Sequence, residues 1–186
     1  MNLDNINEIA EYIVSEGKGI LAADESNPTC GKRFDSIGVE SSEENRRDYR
    51  ELLFRSDGMV GNIGGVILFD ETIRQNAADG TSLVDLISSQ GALPGIKVDK
   101  GLQQMDDPEE SLTQGLDGLD ERLKEYFALG ARFTKWRAVI NIGMGLPSSE
   151  AISANMEALA DYAKIVQNNN MVPMVEPEVL MEGDHS

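Results

Sequence analysis

Apolar residues come along this chain in short runs, and several of the runs stop at charge. Ile6, Ile9, Ala10, Ile13 and Val14 recur at helical spacing and predict a helix over residues 5–15, closed by Gly17 and Gly19. The run Ile20-Leu21-Ala22-Ala23 halts at Asp24, Glu25 and Ser26 and predicts a first strand, followed by a turn cluster over 27–31. Residues 41–44 fit a capping box, so a helix is expected over 45–54. A second strand, 64–71, again ends in acids; a short helix follows over 83–88. The third strand, 95–101, carries charged residues two apart. Residues 103–112 are polar and acidic and predict a surface loop, and a longer helix is expected over 117–129. The fourth strand covers 130–139, Ser148 or Ser149 caps a helix running to 168, and the fifth strand covers 171–178. Continuously apolar strands alternating with helices read as a buried parallel sheet with right-handed crossovers, an α/β architecture.

Charge at the strand ends is the next signal. A period of two puts Lys97 with Asp99, Lys135 with Arg137, and Glu176 with Glu178 on common faces, while Trp136 turns the other way to pack between strand and helix. Two cations at the end of an apolar strand are costly to bury without anions. Asp24, Glu176 and Glu178 are their expected partners, provided the sheet curls so that the carboxyl ends of its strands converge. Such a mixed cluster suits a phosphorylated or polyhydroxylated substrate, with cations on phosphate oxygens and carboxylates as acid and base.

Composition narrows the field. The 186 residues suffice for one domain, and a formal net charge of -17 argues against nucleic acid and anionic membrane surfaces. One Cys and one His make a zinc site improbable on composition, and no metal is expected. No apolar run approaches a membrane span, and residues 1–5 lack the features of a signal peptide, so a cytoplasmic protein is expected. Other residues read more plainly: Cys30 as a passive turn residue, His185 as part of a polar tail, the methionines as core filler, residues 106–110 as a solvated loop, and Ser148 and Ser149 as caps. The glycines over 61–65 lack the spacing of a nucleotide-binding loop.

Several ordered motifs resemble one family. Leu21-Ala22-Ala23-Asp24-Glu25-Ser26 with Gly31-Lys32-Arg33 is similar to the first-strand signature of class I fructose-bisphosphate aldolase, in a form most like the plastid and cyanobacterial branch. Glu44-Asn45-Arg46-Arg47, the run from Gly65 to Thr72, PGIKVDKG from Pro94, QGLDGL from Gln114, GARFTKWR from Gly130, VEPE from Val175 and Gly183-Asp184-His185 continue it in order. The resemblance implies a (β/α)₈ barrel, a lyase of glycolysis and gluconeogenesis that reversibly cleaves fructose 1,6-bisphosphate to dihydroxyacetone phosphate and glyceraldehyde 3-phosphate. It implies a lysine Schiff base and no cofactor. By matched motif, Asp24 would handle the proton at carbon–carbon cleavage, Lys135 would support the charge beside it, and Glu176, with Glu178 as neighbour, would serve carbinolamine formation and dehydration. Lys97 and Arg137 would bind phosphate, with Ser26 and Arg33 near the same end of the substrate.

A closed barrel typically takes about 250 residues. The expected form is therefore an incomplete barrel of about five parallel strands with outer helices, residues 1–186 being the amino-terminal part of a single barrel domain without strands six to eight. The family's Schiff-base lysine belongs to the sixth strand, and no lysine here stands in that context, so turnover by this chain alone is not expected. Partners implied are a phosphorylated sugar and, in the full-length family, room for a homo-oligomer; the branch resembled admits a plastid, though no transit peptide is seen. Two other readings are a non-catalytic half-barrel binding sugar phosphate or a complementary chain, and a doubly wound five-stranded binding module with helices on both faces.

Overall fold

The computed structural model describes Leu3 and residues 5–183. Its main sheet is built from β1 (Gly19–Ala23), β2 (Ile63–Leu68), β3 (Leu93–Lys97), β6 (Phe133–Ile140) and β7 (Val172–Val179); a small hairpin of β4 (Leu102–Gln104) and β5 (Ser111–Thr113) forms a second sheet, packed against β6. The five main strands are parallel and lie side by side in chain order. An unreversed order leaves no switch point, which rejects the doubly wound reading and fits an incomplete barrel.

Helices α1 (Ile6–Ile13), α2 (Asn27–Asp35), α3 (Glu43–Phe54), α4 (Asp70–Ile73), α5 (Leu83–Ser89), α6 (Leu119–Ala128) and α7 (Ser149–Asn168) fill the connections. Side-chain caps start four of them: Asn5 accepts from the Glu8 N–H, Ser42 from Asn45, Ser82 from Asp85 and Ser148 from Ala151.

Five local expectations are corrected. Residues 27–31 are not a turn but the opening of α2, because Ser26 takes the extended cap conformation and Pro28 is tolerated in a first turn that needs no N–H from it. The cap of α3 is Ser42, one residue beyond the predicted Ser41. Residues 103–112 are largely the β4–β5 hairpin, and β2 ends at Leu68 so that Asp70 and Glu71 begin α4. The methionines divide: Met59 and Met171 are core, while Met144 and Met181 are exposed.

The register sorts the strand residues onto two faces. Outward, Val66, Leu68, Ile96, Trp136 and Ala138 pack with helix residues such as Leu83, Ile87, Leu123 and Leu159. Trp136 lies against Tyr162 of α7 at 5.2 Å between ring centroids, as its alternation predicts. Inward, Ile67 and Phe133 meet Ile13 of α1, with Ile20, Leu93, Val172 and Met174 around them. Helix α1 touches both β2 and β7, strands separated by two others, so it closes the base of a curled sheet. Two glycines permit this. A Cβ on Gly64 would stand 2.5 Å from the Ile13 carbonyl oxygen, and one on Gly95 would stand 2.3 Å from the Phe133 ring.

Gly95→Ala therefore forces Phe133 out of its seat. A loss of about 1–3 kcal/mol is expected from such overpacking, read as a lower urea midpoint, with Phe133→Leu in the same chain restoring part of it.

Candidate active site

Above the apolar base, the inner face turns polar. Register places Lys97 beside Lys135, Arg137 beside Glu176 and Val139 beside Glu178. Four like-facing charged residues on β6 and β7 thus crowd the carboxyl end of the sheet, and like charges side by side need counter-ions.

Lys135 finds two. Its Nζ lies 3.4 Å from Asp24 Oδ2 and 3.2 Å from Glu176 Oε2. Glu176 comes from the neighbouring strand, but Asp24 follows β1, with β2 and β3 between it and β6. Strands sit about 4.8 Å apart, so a flat sheet would put β1 and β6 roughly 14 Å from each other. The contact exists because the sheet curls and Lys135 reaches across the chord. Only 12% of the Lys135 side chain and 10% of that of Asp24 are exposed. Burial works against the ammonium, yet Asp24 and Glu176 together outweigh it and raise the Lys135 pKa above its ordinary value.

Arg137 makes a two-pronged pair with Glu178, its Nη2 donating to Oε1 at 2.9 Å and its Nε donating to Oε2. Those hydrogen bonds hold the Glu178 carboxyl below the usual range, against the pull of burial. Lys97 donates to Asp99 Oδ1 at 2.8 Å just past the end of β3. Ser26, at the cap of α2, shares a hydrogen bond of 3.0 Å with Thr29.

Ser26, Lys97 and Asp99 also line a cavity of 640 Å³, with Phe69, Arg122 and Tyr126 on its other walls. The Asp99 Oδ2 and Arg122 Nε atoms are buried with no hydrogen-bond partner among the protein groups described. Arg122 is otherwise held by the Val98 carbonyl oxygen at 2.9 Å and by that of Gly115. Asp70 forms the outer wall; despite burial, Arg74 and Tyr126 keep its carboxyl below the usual range.

The structure thus brings Asp24, Lys135 and Glu176 together, sets Arg137 and Glu178 beside them, and puts Lys97 and Ser26 on the adjoining cavity. Arg33 stands apart: it bonds Glu25 and Tyr49, and its side chain is 57% exposed. Cys30 is a fully buried α2 residue whose Sγ lies 3.0 Å from Arg50 Nη1, so its reading as a turn residue is corrected. Glu110 is likewise no solvated acid. It is buried and accepts from the Ser148 N–H at 2.6 Å and the Ser148 hydroxyl at 2.8 Å, tying the hairpin to the start of α7. Among the described residues no group of three or more acids, Cys and His is placed to hold a metal. Asp184 and His185 lie outside the described residues.

Sequence reasoning missed Arg46, Arg50, Arg74 and Arg122. For the first two a signal existed: Arg46, Arg50 and Phe54 recur every four residues and are the buried face of α3. Arg46 grips Glu71 with two bonds, of 2.8 Å and 2.6 Å, and Asn27 donates to the same carboxylate at 3.3 Å. This joins α2, α3 and α4 around the site.

A family model described as Fructose-bisphosphate aldolase class-I matches residues 5–186. The chain is 54% identical over 186 residues to the "Probable fructose-bisphosphate aldolase class 1" of Xanthomonas campestris pv. campestris, covering 100% of this chain and 56% of that protein. It is 55% identical over 177 residues to "Fructose-bisphosphate aldolase 6, cytosolic" of Arabidopsis thaliana, covering 95% of this chain and 49% of the relative. The fold superposes with a TM-score of 0.93 and 50% identity on a fructose-bisphosphate aldolase from Plasmodium falciparum, solved in complex with TRAP and a small molecule inhibitor, over 96% of this chain and 52% of that one. The chain spans about half the length of the curated relatives it matches. Such even identities to a bacterial and a plant cytosolic sequence do not single out the plastid branch.

Replacing Lys135 by Met leaves Asp24 and Glu176 partly buried without their cation. A loss on the order of 1–3 kcal/mol is expected at neutral pH. The sign follows from the raised pKa: the ammonium's contribution is complete below the unfolded value of about 10.4 and fades as pH climbs through the folded one. Urea melts of the two chains should therefore converge in strong alkali.

Proposed function

The chain belongs to the class I fructose-bisphosphate aldolase family, and on that premise we propose that these residues supply the proton-handling and phosphate-gripping part of an aldol-cleavage site. The substrate would be fructose 1,6-bisphosphate, split reversibly into dihydroxyacetone phosphate and glyceraldehyde 3-phosphate. The observation that carries the reading is Lys135 seated between Asp24 and Glu176.

Class I cleavage needs a neutral amine to attack the ketone carbonyl, lose water and become an iminium that draws off the electrons of the breaking bond. It also needs groups that move protons around that amine. In this reading Asp24 takes the hydroxyl proton as the carbon–carbon bond breaks. Glu176 serves carbinolamine formation and dehydration. Lys135 keeps its own proton and stabilises both carboxylates, a role its raised pKa suits. Glu178 orients Arg137, and Arg137 and Lys97 take the phosphate with Ser26 beside them. Arg33 joins them only by leaving Glu25.

The same geometry makes Lys135 a poor nucleophile, because two carboxylates hold its proton. Lys97 is paired with Asp99, Lys124 with Asp120 on the outer helix α6, and Lys18 bonds Tyr12 of α1, which closes the base of the sheet. The proposal is that these 186 residues on their own bind sugar phosphate without forming a Schiff base.

Two measurements test this. Incubation with dihydroxyacetone phosphate and borohydride should leave the intact mass unchanged; a stoichiometric adduct on Lys135 or another lysine sinks the assignment of Lys135 as an assistant. Titration with fructose 1,6-bisphosphate should move the amide resonances of Ser26, Lys97 and Arg137, and their silence at millimolar ligand removes the binding role.

A further inference from the structure

Asp24 lies just past the last residue of β1, an edge strand of the described sheet, and its carboxylate must sit within ångströms of Lys135. What holds its backbone there is a side chain from another element. Arg50 of α3 is 1% exposed. Its Nε donates to the Ala23 carbonyl oxygen at 3.3 Å, and its Nη2 donates to the Glu25 carbonyl oxygen at 2.8 Å. These are the carbonyls of the two residues flanking Asp24. The same Nη2 donates to Glu25 Oε2 at 3.2 Å, and Nη1 faces Cys30 Sγ at 3.0 Å. Glu25 is in turn held by the Tyr49 hydroxyl at 3.1 Å and by Arg33.

Burying a guanidinium is expensive, and apolar residues of similar volume fill such space at no loss of stability in many proteins. What they cannot do is bond the carbonyls on both sides of one residue from one rigid plane. The fork also ends β1: it takes up carbonyl oxygens where the strand gives way to α2. An acidic side chain between two anchored carbonyls keeps one direction, and here that direction is toward Lys135.

We propose that Arg50 is the positioning residue of the site, a buried clamp that aims Asp24 at Lys135 by holding the carbonyls on either side of it. The proposal rests on the reading of Asp24 as a working carboxylate, but its test does not. The carboxylates on Lys135 are Asp24, following β1, and Glu176, from β7; Lys97, paired with Asp99, lies beside it on β3, and Arg137 and Glu178 are next along the face. With lysines labelled with ¹³C and ¹⁵N, the Lys135 titration midpoint reports the Asp24 pairing directly.

Asp24→Asn sets the midpoint expected when that pairing is gone. Arg50→Met should move the Lys135 midpoint down at least half of the way to the Asp24→Asn value, and Arg50→Lys should fall between Arg50→Met and the unaltered chain. Lys124, paired with Asp120 on the outer helix α6, should not move. An unaltered Lys135 midpoint in folded Arg50→Met overturns the proposal, as does an equal movement of Lys124, which marks general loosening. Should Arg50→Met fail to fold, Arg50→Lys decides alone: a lowered Lys135 midpoint with Lys124 fixed supports the clamp, and an unmoved one overturns it. Borohydride trapping tests the aldol reading separately, so the two can fail independently.

Discussion

One contact depends on the shape of the whole molecule: the ammonium of Lys135 reaches Asp24 across two intervening strands. A flat sheet cannot make it. Curling brings the strand ends together but also squeezes the opposite end of the inner face, where side chains must shrink. Gly95 and Gly65 give Phe133 its seat there, and Gly64 lets the backbone of α1 lie against β2. The polar mouth and the glycine-lined base are therefore one requirement seen at two ends. Helix α1 then does what the strands cannot, covering the apolar base that curling leaves open to water.

Much of this was legible because strands obey a parity, and β3, β6 and β7 keep it without a break. Lys97, Lys135, Arg137, Glu176 and Glu178 fall on one face by spacing alone, and the register keeps them there from strand to strand. Trp136 was readable as an outward residue for the same reason. The pairing of Lys135 and Arg137 with the acids followed from the cost of leaving two cations unpartnered. What parity could not give is which acid meets which cation, since Asp24 is brought in by curvature, a property of the whole sheet.

The misreadings share a cause. Asn27 and Pro28 suit a turn and suit equally the first turn of a helix; the Ser26 cap conformation decided between them. Glu110 looked like one acid among several in a polar run, yet it alone is buried, because Ser148, 38 residues later, supplies two donors. Arg46 and Arg50 were not singled out as site residues. Each is buried by partners from distant segments, Glu71 for one and the backbone around Asp24 for the other. Charged residues inside a protein are explained by what they meet, and a local pattern carries only the hint that they share a phase with Phe54.

The ion pairs of the mouth also set the terms on which an anion can enter. Lys97 is occupied by Asp99, and Arg137 by Glu178. A bare cation in a half-buried site would be costly to hold, so the acids make the site stable before anything binds. Their presence means that an incoming anion must compete. A neutral hydroxyl cannot replace a carboxylate on a guanidinium, whereas a phosphate dianion offers more charge and more acceptor oxygens than the acid it displaces. Lys135 differs in having two acids from two strands, so displacing one leaves the other. On the proposed reading, a cation with one acid is the one that can be released to a phosphate, and Lys135, held by two, keeps its place.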